Sequence, residues 1–417
     1  MKHFCGLDFG TSNSILYLIE KEHPEHSVVI SEPSVIFMSK NLKQGNKGVF
    51  VGDQAVTHYI SERMEGRFIQ SVKALLPNDS FNYTEIHGAH FHAVDLVAII
   101  IKHLKDRAEK QIGYELEDVV MGRPVFFSTR QEEDQLAQRR LEQAARIAGF
   151  KNISFQFEPI GAALAYEQDI KISKRVLVAD FGGGTTDFTV MKLDPNNILK
   201  PNRVEDILAT GGVYIGGESF DSRIMWNELI SFFGYGTQFE SMFKRFDIPD
   251  HFFKTLCNWY HIHHLKEDSH RLDLKDIYFG AVDKQAVKRL MTLIDEDLGY
   301  ALFRSIQEAK HILSSEGFSQ IIFSQSGIQI SHPLLLSRFN DDIEQDILEI
   351  EKELEATLRK ADLKHSDIDS VFITGGTSQV RSIQELFRQH FMSEQLNQDD
   401  NLFQSVAKGL SLSQRYL

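Results

Sequence analysis

The chain has 417 residues, 42% of them hydrophobic and 25% charged, with a formal charge of −14. That length covers roughly two to four domain-sized units, and an ordinary globular composition with no apolar run near ~18 residues excludes a membrane helix. The acidic balance argues against nonspecific binding to nucleic acid or anionic lipid, while two cysteines, Cys5 and Cys257, and a start that runs straight into a strand point to a reducing cytoplasm rather than a secreted disulfide framework.

Residues 4–20, FCGLDFGTSNSILYLIE, read as an apolar strand ending at Asp8, a small turn of Gly10, Thr11, Ser12 and Asn13, and a second strand. Residues 27–38 and 48–52 alternate in the manner of further strands. A helical pattern is expected over residues 53–76, carrying Lys73 and stopping at Pro77. Residues 95–111 form an amphipathic helix, with Asp95 as its cap and Gly113 closing it. A strand follows within 119–127, then a charged helix over 128–148 that starts on a Thr129 and Glu132 capping box and ends at Gly149. Residues 155–166, FQFEPIGAALAY, give a strand, Glu158, a proline suited to the first helical turn and a helix of small residues able to approach a neighbour closely. By itself Glu158 also fits an ordinary helix-start carboxylate favoured by the dipole.

The segment 176–191, VLVADFGGGTTDFTVM, repeats the first hairpin with more glycine. Gly182, Gly183 and Gly184 leave the backbone bare, so successive amides can face an anion. Asp180 at the strand exit is placed to hold magnesium through water, and Asp187 to orient a nucleophile or an ion. Such a turn also occurs in hairpins without a ligand. Its earlier counterpart at Asp8 favours phosphate gripping, and the spacing of the copies is far beyond the ~20 to 50 residues of a solenoid. Two copies of one domain facing a nucleotide are the simpler account.

Beyond this lie Gly216, Gly217 and Glu218, a glycine pair at a helix start near Ser219 that suits an anion or a ribose. Residues 235–299 are the least readable stretch, rich in Phe, His and Lys. Within it Cys257, His261 and His264 are zinc-capable types with no closed-site spacing, and Phe252, Phe253, Trp259 and Tyr260 suit contacts with a protein. Residues 306–315, IQEAKHILSS, form a helix bearing Lys310 and Ser314. Residues 339–361 form a long solvated helix with many i,i+4 charge pairs. Residues 370–387 give a strand, a turn of Gly375, Gly376 and Ser378, and a helix, and one more short helix ends the chain.

GLDFGTSNS, VADFGGGTTDFTV, FEPIGAALAY, GGESFDSRIM, EAKHILSS and FITGGTSQVRSIQ together, in this order, resemble the ATPase domain of the seventy-kilodalton heat-shock chaperones, the DnaK family within the actin, sugar-kinase and heat-shock ATPase superfamily. The resemblance implies an α/β, actin-like ATPase fold of two lobes, residues 1–174 and 175–417, each with a duplicated mixed-sheet core and a nucleotide cleft between them. It implies ATP and ADP as ligands with Mg2+ and K+, Asp8 and Asp180 holding the ions through water, Thr11 and Thr185 on the phosphates and Lys73 neutralising the transferred phosphoryl group. Glu158 and Asp187 would position the attacking water. Gly216, Gly217, Lys310, Ser314, Gly375 and Gly376 match the nucleoside side.

The departures from that family are specific. The two arginines that bracket adenine correspond to His311 and Gln379, the ribose glutamate to Gln307 and a late aspartate to Phe403. The partner-docking arginine corresponds to Ser154, which argues against a J-domain partner. Residues 235–299 look like an insertion able to receive a protein, and the expected type is a truncated relative of the YegD kind, without the peptide-binding domain. The function expected is a slow, chaperone-like ATPase whose lobe closure signals to a protein partner. The alternatives are a small-molecule kinase of the same fold, and an actin-like or nucleotide-sensing module with little turnover.

Overall fold

The computed structural model describes residues 2–415 apart from 44–46, 63–65, 80, 82, 87, 168–169, 198–202, 259–261, 263–264, 267 and 398–401. The chain divides into two compact units, Met1–Gly216 with Glu349–Ser378 and Glu385–Leu417, and Gly217–Leu348 with Gln379–Gln384.

The first unit holds two five-stranded sheets of one topology. In the first, β1 (His3–Phe9), β2 (Asn13–Glu20) and β3 (Ser27–Pro33) run antiparallel; after α1 (Ala93–Ile112), strand β4 (Asp118–Arg123) lies parallel to β1, and after α2 (Gln131–Ile147), strand β5 (Asn152–Phe157) lies parallel to β4. Following α3 (Glu158–Glu167), the second sheet repeats this with the meander β6 (Lys174–Phe181), β7 (Thr186–Leu193) and β8 (Ile207–Val213). The helices α4 (Gly217–Ile224) and α5 (Gly299–Ser315) belong to the second unit, and α6 (Leu336–Lys360) leads back to β9 (Ser370–Thr374), parallel to β6. The helix α7 (Arg381–His390) precedes β10 (Leu396–Asn397), parallel to β9, and α8 (Leu402–Ser413) closes the chain. The internal repeat read from the two aspartate hairpins is therefore a repeat of whole sheets.

Period-two alternation explains how each sheet is covered. On β2, Leu16 and Leu18 join Leu7 of β1 in a core with Ile101 and Leu104 of α1 and Leu141 of α2. The intervening Ile15, Tyr17 and Ile19 face the other way, onto Ala407 and Leu412 of α8. A different side of α8, Val406 and Leu410, packs with Ile160 and Leu164 of α3 and with Val176, Val178 and Met191 of the second sheet. One short helix thus lies in the cores of both sheets.

The crossing of α3 and α8 uses the small residues foreseen for α3. A Cβ built on Gly161 would stand 2.9 Å from the Val406 carbonyl oxygen, and one on Gly409 would collide with the Gly161 carbonyl.

Three local expectations are corrected. Residues 53–76 are a helix Asp53–Ser61, a strand Gly66–Ile69 paired antiparallel with Ile36–Lys43, and a 3-10 turn Val72–Leu75. Positive φ at Gly66 and Ser71 (154° and 54°) breaks the helical path, and burying Phe68 and Ile69 in the strand outweighs the weak helical pattern. Asp95 is the third helical residue of α1: its carboxylate accepts from the His92 amide at 2.8 Å, so His92 is the cap, while Gly113 (φ 83°) closes the helix as expected. The helix α2 begins at Gln131 rather than at the Thr129 box, and Ser128 Oγ accepts from the Arg130 amide at 3.2 Å instead. Among the described residues no helix is long and apolar enough to cross a membrane.

Gly409→Val is expected to destabilise the protein by about 3 kcal/mol, because neither helix backbone can retreat without opening a sheet core. The urea midpoint measures this, and an unchanged midpoint would refute the tight crossing.

Candidate functional site

Asp8 is the last but one residue of β1 and Asp180 the last but one of β6, and β7 places Asp187 directly opposite Asp180. Two further segments reach the same place. Lys73 stands in the 3-10 turn that follows the left-handed Ser71, and its Nζ lies 2.9 Å from Oε1 of Glu158, the first residue of α3. Both side chains are nearly buried, at 13% and 9% exposure, so this pair is held away from solvent screening.

The titration of these groups records their crowding. Burial pushes Asp8 well above the usual carboxylate range, and the Glu158 carboxylate adds to the effect while Lys73 opposes it. Burial, then Glu158, also raises Asp180, against the hydrogen bond donated by Thr374 Oγ1 at 2.9 Å. Burial and Asp180 raise Asp187 to about 7, against the Thr185 Oγ1 donor at 2.9 Å. Burial would lower Lys73, but Glu158, Asp8 and Asp180 outweigh it and hold the ammonium above its ordinary value. Four carboxyl groups share one ammonium. These carboxylate oxygens, with surplus negative charge, fit a hard divalent cation such as magnesium.

The two turns are braced differently. In the first, Ser34 donates to the Gly10 carbonyl at 2.8 Å through Oγ and to the Ser12 carbonyl at 2.8 Å through its amide, which fixes Gly10, Thr11 and Ser12 ahead of Asn13. In the second, the Gly182 amide donates to the Thr185 carbonyl at 2.9 Å, and Thr377 Oγ1 donates to the Gly182 carbonyl at 2.9 Å. Gly216 packs on Gly182 and Gly183, leaving Gly184 with open space before it. Gly375 has φ 84°, and a Cβ there would stand 2.9 Å from Asp180 Oδ1, so glycine is required next to the carboxylate. Ser378, after the exposed Gly376, closes that turn by donating to the Gly375 carbonyl at 2.6 Å.

The second unit carries its own polar cluster. Lys310 Nζ lies 2.6 Å from Oδ1 of the buried Asp221 and donates to the Gly217 carbonyl at 2.8 Å. Gln307 Nε2 donates to Asp221 Oδ2 at 3.2 Å. Burial raises Asp221, opposed by Lys310. Glu218 follows Gly217 in the first turn of α4, and the half-buried Ser314 offers its carbonyl to Arg381 Nε at 3.0 Å. His311 and Gln379 are exposed.

Several of these residues escaped the sequence reading. Asp221 and Arg381 lie within the quoted motifs but reveal a role only through partners far along the chain, and Thr374 and Thr377 flank the glycine pair as ordinary small residues. Gly122 and Gly212 had no local signature, yet a Cβ at either would press on Glu158 (3.0 Å) or Asp187 (2.8 Å). Of the zinc-capable trio, His261 and His264 lie outside the described residues.

Twin sheets whose first strands end in aspartates beside glycine turns define an α/β protein of the actin-like ATPase fold. A family model described as Hsp70 protein matches residues 4–238 and 291–414, and the chain belongs to the Hsp70 family. It is similar to the chaperone protein DnaK of Thermosipho melanesiensis and of Thermosipho africanus, each 26% identical over 99% of this chain and over 59% and 58% of theirs. It is also similar to the DnaK of Cyanidium caldarium, 24% identical over 99% of this chain and 60% of that protein. The chain thus spans 58% to 60% of the length of these curated relatives.

A carboxyl group raised from 3.8 to about 7 favours the folded state below its ordinary value and loses that contribution as pH rises through about 7. With metal and nucleotide removed, Asp187→Asn is expected to gain about 2 kcal/mol over the natural chain at pH 8, a value reduced for solvent screening, and nothing at pH 4. Urea unfolding at the two pH values measures it; a gain independent of pH would contradict the assignment.

Proposed function

We propose that the chain binds ATP with magnesium and potassium and slowly hydrolyses it to ADP and phosphate, as a chaperone-like cytoplasmic ATPase. The observation that carries this reading is the meeting of Lys73, Glu158, Asp8, Asp180 and Asp187 beside two braced turns. Gly10, Thr11, Ser12 and Asn13 on one turn and Gly182, Gly183, Gly184 and Thr185 on the other receive the phosphates through amides and hydroxyls. The nucleoside falls to Gly216, Gly217, Glu218, Lys310, Ser314, Gly375, Gly376 and Ser378.

Phosphoryl transfer to water asks the protein for positioning and charge neutralisation. Bound magnesium supplies positive charge to the phosphate oxygens. Glu158 and Asp187 orient the water, and Asp187 accepts its proton as the oxygen bonds to the γ-phosphorus and the bond to the β–γ bridging oxygen breaks. Lys73 offsets negative charge on the group in transfer. The lobes 1–174 and 175–417 close on the nucleotide and pass that state to a protein partner.

The partner's place is within residues 235–299. The family model leaves residues 239–290 unmatched. There the hairpin Gln238–Ser241 and Lys244–Asp247 turns on Met242 and Phe243, both left-handed (φ 49° and 65°) and both fully exposed. Two large apolar residues in a conformation that costs about 1 kcal/mol or more each gain nothing for folding there, whereas a partner surface would cover them, together with the exposed Phe279 and Val282.

Phosphate release from ATP is expected to fall ~10²- to 10³-fold in Lys73→Ala and to vanish in Asp180→Ala; ATP binding without any release would make the chain a nucleotide sensor. Met242→Ser with Phe243→Ser should leave phosphate release unchanged and abolish binding of a partner that, once purified, rebinds the natural chain. Equal binding to both chains would remove the hairpin from the interface.

A further inference from the structure

Glu351 and Glu355 stand one turn apart on the same face of α6, a spacing that lines up two side chains. Against that face come His365, first residue of the 3-10 turn His365–Asp367, and His390, last residue of α7. All four are partly buried. His390 Nε2 is 2.7 Å from Glu351 Oε1, which leaves its Nδ1 directed to the other carboxylate, 3.8 Å from Glu355 Oε1. His365 Nε2 lies 2.9 Å from the same Glu355 oxygen.

We propose that Glu355, His365 and His390 bind a borderline divalent cation, zinc above all, with Glu351 positioning His390. The ligating atoms all lie within 4.8 Å of one another. Ligands ~2.05 Å from a tetrahedral zinc are ~3.3 Å apart, a spacing bracketed by the 2.9 and 3.8 Å found here. His365 Nε2 is buried 2.9 Å from Glu355 Oε1 and has no aligned hydrogen-bond partner, so no existing bond has to be broken for the ring to turn onto an ion. The Glu351 contact gives His390 the carboxylate support typical of zinc-bound imidazoles.

The backbone of His365 is fixed as well. Gln395 Nε2 donates to its carbonyl at 3.0 Å, and the Lys364 amide donates to Asp367 at 2.8 Å across the turn. The two rings now stack at 4.7 Å and 20°, so binding turns one ring until both lone pairs meet the ion, and water completes the set. Two imidazoles and one carboxylate suit zinc better than magnesium, which takes oxygen ligands. The ion joins the far part of α6, the end of α7 and the turn that leads into β9, the strand ending at Thr374 beside Asp180.

Untagged, EDTA-treated, nucleotide-free protein titrated with zinc chloride, and separately with cobalt(II), tests this. The natural chain is expected to take up an equivalent of zinc that His365→Ala/His390→Ala lacks and that Glu351→Gln holds about 10-fold more weakly. The cobalt form should lack a thiolate charge-transfer band, and Cys257→Ser should bind as the natural chain does. Circular dichroism without metal separates lost ligation from lost folding, and Glu351→Gln, which keeps every ligand, covers the case in which the double variant does not fold. Equal uptake by the natural chain and Glu351→Gln together with the double variant, or no uptake by the natural chain, would overturn the site.

Discussion

Four carboxyl groups, on Asp8, Glu158, Asp180 and Asp187, crowd around the ammonium of Lys73 in a setting that removes most of their water. Coulomb repulsion grows as the effective dielectric falls, so the cluster stands under electrostatic load. Protonation relieves part of that load, as the raised Asp8, Asp180 and Asp187 record, and the Lys73–Glu158 pair relieves another part. A cation bound with a triphosphate would relieve the remainder. By the same linkage, any cation that bound at the cluster would stabilise the fold.

Such a cluster can exist only on a frame too stiff to let the charges drift apart. The twin sheets supply it. Antiparallel pairing fixes Asp187 opposite Asp180 and parallel pairing puts Thr374 at the same level. The helix α8 ties the sheets together because one side packs on Ile15 and Tyr17 and another on Val176 and Val178. The crossing of Gly161 with Gly409 brings α3, and with it Glu158, close to that helix. A bulky side chain there would change not only packing but the position of the carboxylate that pairs with Lys73.

The second unit is ordered by its own polar contacts. Lys310 and Asp221 form a buried ion pair next to the Gly217 carbonyl, and Arg381, two residues after Gln379, is committed to the Ser314 and Ser315 carbonyls. These contacts order the start of α4 and the end of α5.

The sequence by itself determined the two aspartate hairpins, the order of most helices and strands, and the duplicated fold. Alternation, glycine turns and capping glycines such as Gly113 act over a few residues, so they are legible without knowing what packs on what. The same local reading failed at residues 53–76, where pairing with Ile36–Lys43 converted part of a helical pattern into a strand. Only the tertiary structure decided that Lys73 lies 2.9 Å from Glu158, that Gly122 and Gly212 make room for Glu158 and Asp187, and that His365 and His390 converge on one helix face. Those partners are separated by tens of residues, and their meeting is fixed by sheet register and helix packing, which no short stretch of sequence contains.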